Sequence, residues 1–388
     1  MFIFAMEGRI IKKIFNSVII IIVLICSNTC VFANSIYDNS DLDNFLDDIK
    51  KYSNEYFPEL SDNEYLSDLI SGKITTQNNN IINKIINMVI GEFKDNISLI
   101  LKIIGIVMLC SVLKSIQSNF SDSGISDIAF YTCYLMIVTL IITSFTNVVS
   151  LCTNTVDKLS DFMNMIVPLI IALITISGGI TSISFLQPLI IGMITLITYL
   201  LNNIIIPIIY ISTVINIVTN ISEHVKLSKL SETLKKSSLW IMEICMVIFV
   251  GVLSLEGTLA ASVDGMTTKI AKNIVSSTIP VVGKILGDTV DSVIGSVAIT
   301  KNAVGFIGII AILAITISPL IKCLITLFVI NISTAIIEPV ADSRIFKSIN
   351  DVSNSIKIMV GIMAVVIFMF IIAITMMLKI SNTALMYK

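Results

Sequence analysis

The sequence predicts an all-α, polytopic membrane protein with about seven spans, additional re-entrant or interfacial helices and a small helical extracytoplasmic N-terminal region. Three observations predict this fold. No charged residue or histidine occurs from 162 to 222, a stretch long enough for roughly three helical crossings of a hydrocarbon core about 30 Å thick. Apolar residues make up 55% of the chain and charged residues only 13%, about half the share usual in soluble proteins. Helix-breaking residues fall between the expected crossings, at 177–179 and 202–203.

Residues 1–33 have the pattern of a cleavable signal peptide. A positive region at 9–13 precedes a short apolar stretch, and Val31 and Ala33 place small residues at positions −3 and −1 of a cleavage site. An uncleaved signal anchor is the alternative, although the apolar stretch is short for a span of about 20 residues.

Residues 34–96 are acidic and are expected outside the cytoplasm. They carry 12 acidic and 5 basic side chains, whereas residues 97–388 carry 14 acidic and 17 basic ones. Basic residues are retained in the cytoplasm, and acidic segments translocate easily. Amphipathic patterns, such as the one at 42–49, predict helices that form either a simple pair or a docking surface for an extracytoplasmic partner. An apolar stripe at 81–89 predicts an interfacial helix that leads into the membrane.

The predicted membrane domain, 97–255, contains about six spans. They lie near 97–113, 129–149, 163–177, 185–201, 204–220 and 239–255. Counting crossings from an external N-terminus places Glu223 inside, and the positive-inside rule independently places the lysine-rich loop after it in the cytoplasm. These lysines are candidates for contacting a cytoplasmic partner. They are Lys226, Lys229, Lys235 and Lys236.

The C-terminal part, 304–388, contains expected spans at 304–332 and 358–378. Pro319 and Lys322 interrupt the first of these, which is either one kinked span or a tight hairpin. A single span is favoured, because it places the basic residues near 344 inside, and the C-terminus is then expected outside.

Residues 256–303 are too polar for an ordinary span and too apolar for a plain loop. Pro280 begins an amphipathic helix whose polar face carries Lys284, Asp288 and Asp291. This segment either lies flat on the external face of the bilayer or forms re-entrant helices inside the protein, where irregular backbone at membrane depth is tolerated.

Residues that carry chemistry are few. A single histidine, His224, excludes a histidine-based metal cluster, and the five cysteines after residue 33 show no paired spacing. We therefore expect no cofactor, no metal site and no catalytic constellation, and no basic patch with aromatics predicts nucleic-acid binding. Lys102, Glu243 and Lys322 lie in or near spans. Each is either a conduit or gate residue, because intramembrane charge is costly, or a packing or snorkelling side chain.

The segment 251–305 carries a family resemblance. It contains GVLSLEG at 251–257, AASVDG at 260–265, IPVVGK at 279–284, DTVD at 288–291 and KNAVG at 301–305. In these motifs, and in the order of signal, acidic region and polytopic domain, the chain resembles the stage III sporulation protein AE family. The family has no catalytic motif to compare, so a non-enzymatic protein is expected.

The resemblance implies a role in endospore formation. Members of this family lie in the mother-cell membrane that surrounds the forespore, in a secretion-like channel complex needed for late forespore gene expression. The implied partners are other membrane proteins of that complex, a cytoplasmic ATPase and ring-forming proteins of the intermembrane space. Within it the chain is expected either to line a conduit or to act as an assembly scaffold, and an autonomous small-molecule permease is a further alternative.

Overall fold

The computed structural model describes residues 78–117, 123–176, 180–221, 227–278 and 282–386. The described residues form seven α-helices and no strand, which confirms the predicted all-α class. The helices are α1 Asn78–Gln117, α2 Ser123–Ile176, α3 Ile180–Leu200, α4 Ile206–Ile221, α5 Ser228–Thr278, α6 Val282–Ile337 and α7 Ser343–Met386. A π-helical turn, Leu201–Ile205, joins α3 to α4. The predicted signal peptide and residues 34–77 of the acidic region lie outside the described residues.

Six helices in the described part of the chain are long and apolar enough to cross a membrane, with α3 and α4 counted as one. Their apolar segments are Ile86–Leu113, Phe130–Ile176, Gln187–Ile221, Ser228–Ser254, Gly295–Ile337 and Ser343–Lys379. These helices confirm a polytopic, membrane-embedded protein.

With α3 and α4 counted as one helix, successive helices run in opposite directions, and polar contacts hold one end of the bundle together. Tyr134 Oη lies 2.7 Å from Ser348 Oγ and ties the first turns of α2 to those of α7. Asn220 Nδ2 donates to the Asp351 carboxylate at 3.0 Å, and Lys235 Nζ donates to the Asp351 carbonyl at 3.5 Å. We call this end, where α4 and α6 finish and α2, α5 and α7 begin, the lysine end.

In two places the structure has one continuous helix where the sequence analysis counts two crossings. The predicted spans 129–149 and 163–177 both lie in α2, and the predicted spans 185–201 and 204–220 both lie in the run from α3 to α4. When each of these two pairs of predicted spans becomes one helix, the number of crossings before the lysine-rich loop falls by two. The lysine-rich loop therefore stays on the side of the bundle opposite to the start of α1, as the crossing count requires.

The expected break at 177–179 falls between α2 and α3 and lies outside the described residues. Local packing explains why α2 continues through the polar residues that follow 149 and why Asn202 and Asn203 do not end the run from α3 to α4. In α2, polar residues at 154–161 alternate with Val156, Leu159 and Phe162, which are buried at helical spacing. At Asn202 and Asn203 the backbone widens into the π-helical turn, which keeps main-chain hydrogen bonds continuous.

The segment 256–303 extends two neighbouring helices. Its first part continues α5 to Thr278, and its second part begins α6 at Val282. The stretch 304–332 also belongs to α6, with Pro319 inside the helix, and is one helix rather than a hairpin. The stripe at 81–89 is likewise continuous with the first span in α1.

The interior of the bundle is centred on α7. It packs against α2, α4, α5 and α6, whereas α1 lies at the side against α2 and α6. The core is filled with isoleucine, valine, methionine and phenylalanine. Gly305 and Gly308 let α6 approach closely, since a Cβ on Gly305 would collide with Leu378 and one on Gly308 with Ile166.

Candidate functional site

The outward side of α2 carries polar side chains at helical spacing. They are exposed and follow one another mostly at intervals of three or four positions, so they line one side of the helix. We call this set the α2 polar face. Its members are Thr139, Thr143, Thr146, Asn147, Ser150, Asn154, Asp157, Lys158, Asp161 and Asn164. It extends for roughly 37 Å, which exceeds the thickness of a hydrocarbon core of about 30 Å.

The other side of α2 is apolar and fully covered. Phe145, Leu159, Phe162 and Ile166 are each at most 1% exposed. The helix is therefore amphipathic over its middle part, with its apolar side in the bundle and its polar side outward.

Several groups of the α2 polar face are satisfied within α2 itself. The hydroxyl of Thr143 donates to the carbonyl of Thr139 at 2.7 Å, and that of Thr139 to the carbonyl of Leu135 at 2.8 Å. Asn154 Nδ2 lies 3.4 Å from Ser150 Oγ. The hydroxyl donors of Thr139 and Thr143 therefore need no external partner, whereas the charged side chains of the face are exposed.

Contacts with α3 and α4 place the α2 polar face at mid-height of the bundle. Asn202 Nδ2 donates to Asp157 Oδ1 at 2.6 Å, and Phe145 stacks on Tyr210 with ring centroids 5.8 Å apart. At this level α3 and α4 expose the apolar side chains Leu196, Tyr199 and Ile211. Polar and apolar outer surfaces therefore lie side by side at the same depth.

The end of α3 and the π-helical turn that follows it, which bonds to Asp157, contain polar atoms without a hydrogen bond. Thr198 Oγ1 and Asn202 Oδ1 are buried atoms with no partner among the described residues. Such atoms are uncommon in native proteins, and π-helical turns are frequent at functional sites. The turn and Asp157 together form the most polar part of the α2–α3 contact.

The sequence analysis selects Lys322 as a candidate. In the structure Lys322 pairs with Glu92, which the sequence analysis does not select. Lys322 Nζ of α6 lies 3.1 Å from Glu92 Oε1 of α1, and both side chains are half-buried. Phe93 and Phe328 pack beside this pair, with ring centroids 6.3 Å apart. The ion pair therefore holds the peripheral helix α1 against α6.

The other predicted conduit residues do not join Lys322 in the described contacts. Glu243 is exposed on α5, next to the exposed apolar residues Ile244 and Val247. Lys284, Asp288 and Asp291 lie in the first three turns of α6, and their side chains are outside the described part.

The lysines of the predicted partner loop have different roles. Lys235 donates to the carbonyl of Asp351, and Lys236 pairs with Glu232 at 2.7 Å on the helix surface. Lys229 is exposed at the start of α5, and Lys226 lies outside the described residues. Lys235 therefore contributes to packing at the lysine end, while Lys229 and Lys236 are accessible.

Lys301 is a buried lysine that sequence reasoning missed. Its side chain is 0% exposed, and Nζ donates to the carbonyl of Leu378 at 3.0 Å. A lysine between Thr300 and Asn302 suggests the polar end of a span, so composition gives no sign of burial. Its position in the KNAVG motif is the one signal that could have selected it.

Comparisons with known proteins agree with the family resemblance. A match to the family described as Stage III sporulation protein AE covers residues 60–381, which include α1 to α6 entirely and nearly all of α7. The chain is also 28% identical to the stage III sporulation protein AE of Bacillus subtilis (strain 168) over 344 residues, which are 89% of this chain and 86% of that protein. No solved structure matches the chain significantly.

Proposed function

Because the chain belongs to the stage III sporulation protein AE family, we propose that it is a non-enzymatic membrane subunit of a secretion-like channel complex connecting mother cell and forespore. It lies in the mother-cell membrane around the forespore and is needed for late forespore gene expression. Its partners are other membrane proteins of the complex, a cytoplasmic ATPase and ring-forming proteins of the intermembrane space.

The α2 polar face is the observation that carries this proposal. A polar surface that contacts hydrocarbon is costly, because lipid cannot supply the hydrogen bonds that water supplies. The face points away from the bundle and lies at the same height as exposed apolar side chains of α3 and α4, so part of it lies within the hydrocarbon core. Water or another protein must therefore cover it, as expected for a subunit of a larger membrane assembly.

The interior of the bundle supports an assembly rather than an autonomous permease. A permease carries its substrate along polar groups between its own helices, near the middle of the membrane. Here the described interior holds side chains such as Phe162, Ile312 and Phe370, each fully buried. The buried hydroxyls near the lysine end bond to each other, as in the 2.7 Å contact between Ser212 and Ser231.

The charge distribution supports an orientation for the bundle. The positive-inside rule favours a cytoplasmic lysine end, with Lys229 and Lys236 accessible to a cytoplasmic partner. The acidic residues 34–96 precede or begin α1 and would then lie outside the cytoplasm.

An assembly scaffold without a conduit is a second candidate function. The contact between Lys322 and Glu92 favours it, because this intramembrane lysine is engaged in holding two helices together rather than open to a pathway.

A deletion strain complemented with a tagged chain tests the proposed function. We expect deletion to abolish late forespore gene expression while early forespore expression stays normal, and we expect the tagged chain to co-purify with other membrane subunits. Normal late expression after deletion, or a tagged chain that purifies alone, would contradict the proposal.

Alanine replacements separate the conduit from the scaffold. Glu243, Lys284, Asp288, Asp291 and Lys322 are each replaced, and both late forespore gene expression and co-purification are measured. Loss of expression with an intact complex supports a conduit or gate. Silent replacements, or loss of expression only together with loss of the complex, support the scaffold.

A further inference from the structure

The α2 polar face differs from the other outward surfaces of the bundle. Within α2, every residue from 137 to 175 is described, and none of them is a large apolar side chain exposed to the outside. By contrast, α1 exposes Leu101 and Leu109, and α5 exposes Val247 and Ile248. The apolar outer surface that α1 and α5 would present to lipid therefore does not continue over α2.

The charges of the face favour water over a dry protein contact. Asp157, Lys158 and Asp161 lie within four positions of one another and are all exposed. Direct contact between the faces of two copies would remove these charges from water, which costs several kcal/mol per ion unless each is closely paired. Water between the copies avoids this cost.

One helix cannot enclose water, since an α-helix with its side chains is only about 10–12 Å across. Other surfaces must complete the wall, and closed cyclic arrangements of identical chains are the usual solution. Such an arrangement lets the apolar surfaces of α1 and α5 remain in lipid or pack against neighbouring copies.

We propose that several copies of this chain surround a water-filled passage across the membrane, with the α2 polar face of each copy lining it. This proposal rests on the proposed function. It adds which surface of the chain lines the conduit and which partner, further copies of the same chain, completes the lining. Asn202, whose Nδ2 bonds to Asp157, has its Oδ1 without a partner among the described residues, so water reaching the edge of the face has a polar atom to bind there.

Cysteine accessibility tests the passage in the full chain within sporulating cells. The reference chain carries replacements of the five cysteines after residue 33 and must still support late forespore gene expression. The replaced residues are Cys110, Cys133, Cys152, Cys245 and Cys323. Single cysteines are then placed on the face, as Asn147→Cys, Asn154→Cys and Asn164→Cys. Matched controls on apolar outer surfaces are Leu196→Cys, Ile211→Cys and Val247→Cys.

Permeabilised cells are treated with a charged, membrane-impermeant methanethiosulfonate, and the labelled fraction is followed with time. We expect cysteines on the face to react at least about tenfold faster than the controls, because the reactive thiolate forms in water and not in hydrocarbon. Equal rates at face and control positions would overturn the water-filled passage. If a variant does not accumulate, Thr146→Cys or Ser150→Cys replaces it, since both positions are exposed on the same face.

A second measurement tests whether copies of this chain complete the wall. Two differently tagged copies are expressed together, and one tag is used for purification in mild detergent. We expect the second tag to co-purify. Fast labelling without co-purification would overturn the assembly of identical copies and assign the rest of the wall to another subunit. If both measurements fail while deletion still abolishes late forespore gene expression, this inference is wrong and the proposed function stands.

Discussion

The outward surfaces of α2 and α5 are equally uncovered in a single chain, yet they have opposite chemistry. On α5, Val247 is 72% exposed, and Ile244 and Ile248 lie beside it. On α2, the uncovered positions include Asn154 and Asp157. In a membrane protein, exposure in one chain therefore does not identify the solvent. The polarity of each surface indicates whether lipid, water or another chain covers it.

The largest expected effect comes from placing the same charge on each surface. Val247→Asp should destabilise the membrane-inserted protein by about 2.5–3.5 kcal/mol, the cost of a carboxylate at the centre of a lipid-facing helix. Asn154→Asp should change stability by less than about 0.5 kcal/mol, because the α2 polar face already holds exposed charges. The amount of full-length protein in membranes and its thermal unfolding in detergent measure both effects. Equal losses for the two variants would show that α2 and α5 face the same solvent.

A second prediction contrasts an interior charge with those of the α2 polar face. Lys301→Ala should destabilise the bundle by about 2–4 kcal/mol, because it leaves a cavity and removes the donor to the carbonyl of Leu378. Lys301→Met keeps most of the volume and should cost less than about 1.5 kcal/mol. Thermal unfolding of the purified chain measures both. If Lys301→Met keeps stability but abolishes late forespore gene expression, Lys301 has a role beyond packing.

The contrast between the two surfaces also shows what sequence reasoning could predict. Hydropathy is averaged over long stretches of sequence. The predictions of a membrane protein and of an all-helical fold therefore hold even where the boundaries of single spans are misplaced. The polar residues at 150–161 suggest a loop by composition, and the sequence analysis places no span there. Their spacing of three and four positions was nevertheless present, and it is the signal that distinguishes an amphipathic helix from a loop.

Other features depend on partners far apart in the chain and could not be predicted. Asn202 is tolerated inside a continuous helix because Asp157, 45 positions earlier, accepts its hydrogen bond. Lys322 is paired with Glu92, a residue that the charge count assigns to the external acidic region. Neither pairing leaves a local pattern, since each depends on which helices pack together.

A smaller effect is expected from the ion pair that attaches α1 to the bundle. In a double-mutant cycle, Glu92→Gln and Lys322→Met should show a coupling energy of about 0.5–1 kcal/mol, since both side chains are partly exposed. The cycle is measured by thermal unfolding in detergent. Glu243→Gln with Lys322→Met is the control pair, and its two effects should add. Additive effects for Glu92 and Lys322 would contradict an energetic contribution of this contact.

The smallest effect is expected at Thr198, which lies in α3 just before the π-helical turn. Thr198→Val removes a buried hydroxyl that has no partner in the described structure, so stability should stay within about 0.5 kcal/mol or rise slightly. Asn202→Ala removes the donor to Asp157 and should cost about 1 kcal/mol if the site is dry. If water from the α2 polar face reaches this turn, water replaces the lost hydrogen bond and the two variants become nearly equal. The difference in unfolding temperature between Thr198→Val and Asn202→Ala therefore reports how far water penetrates beside α2.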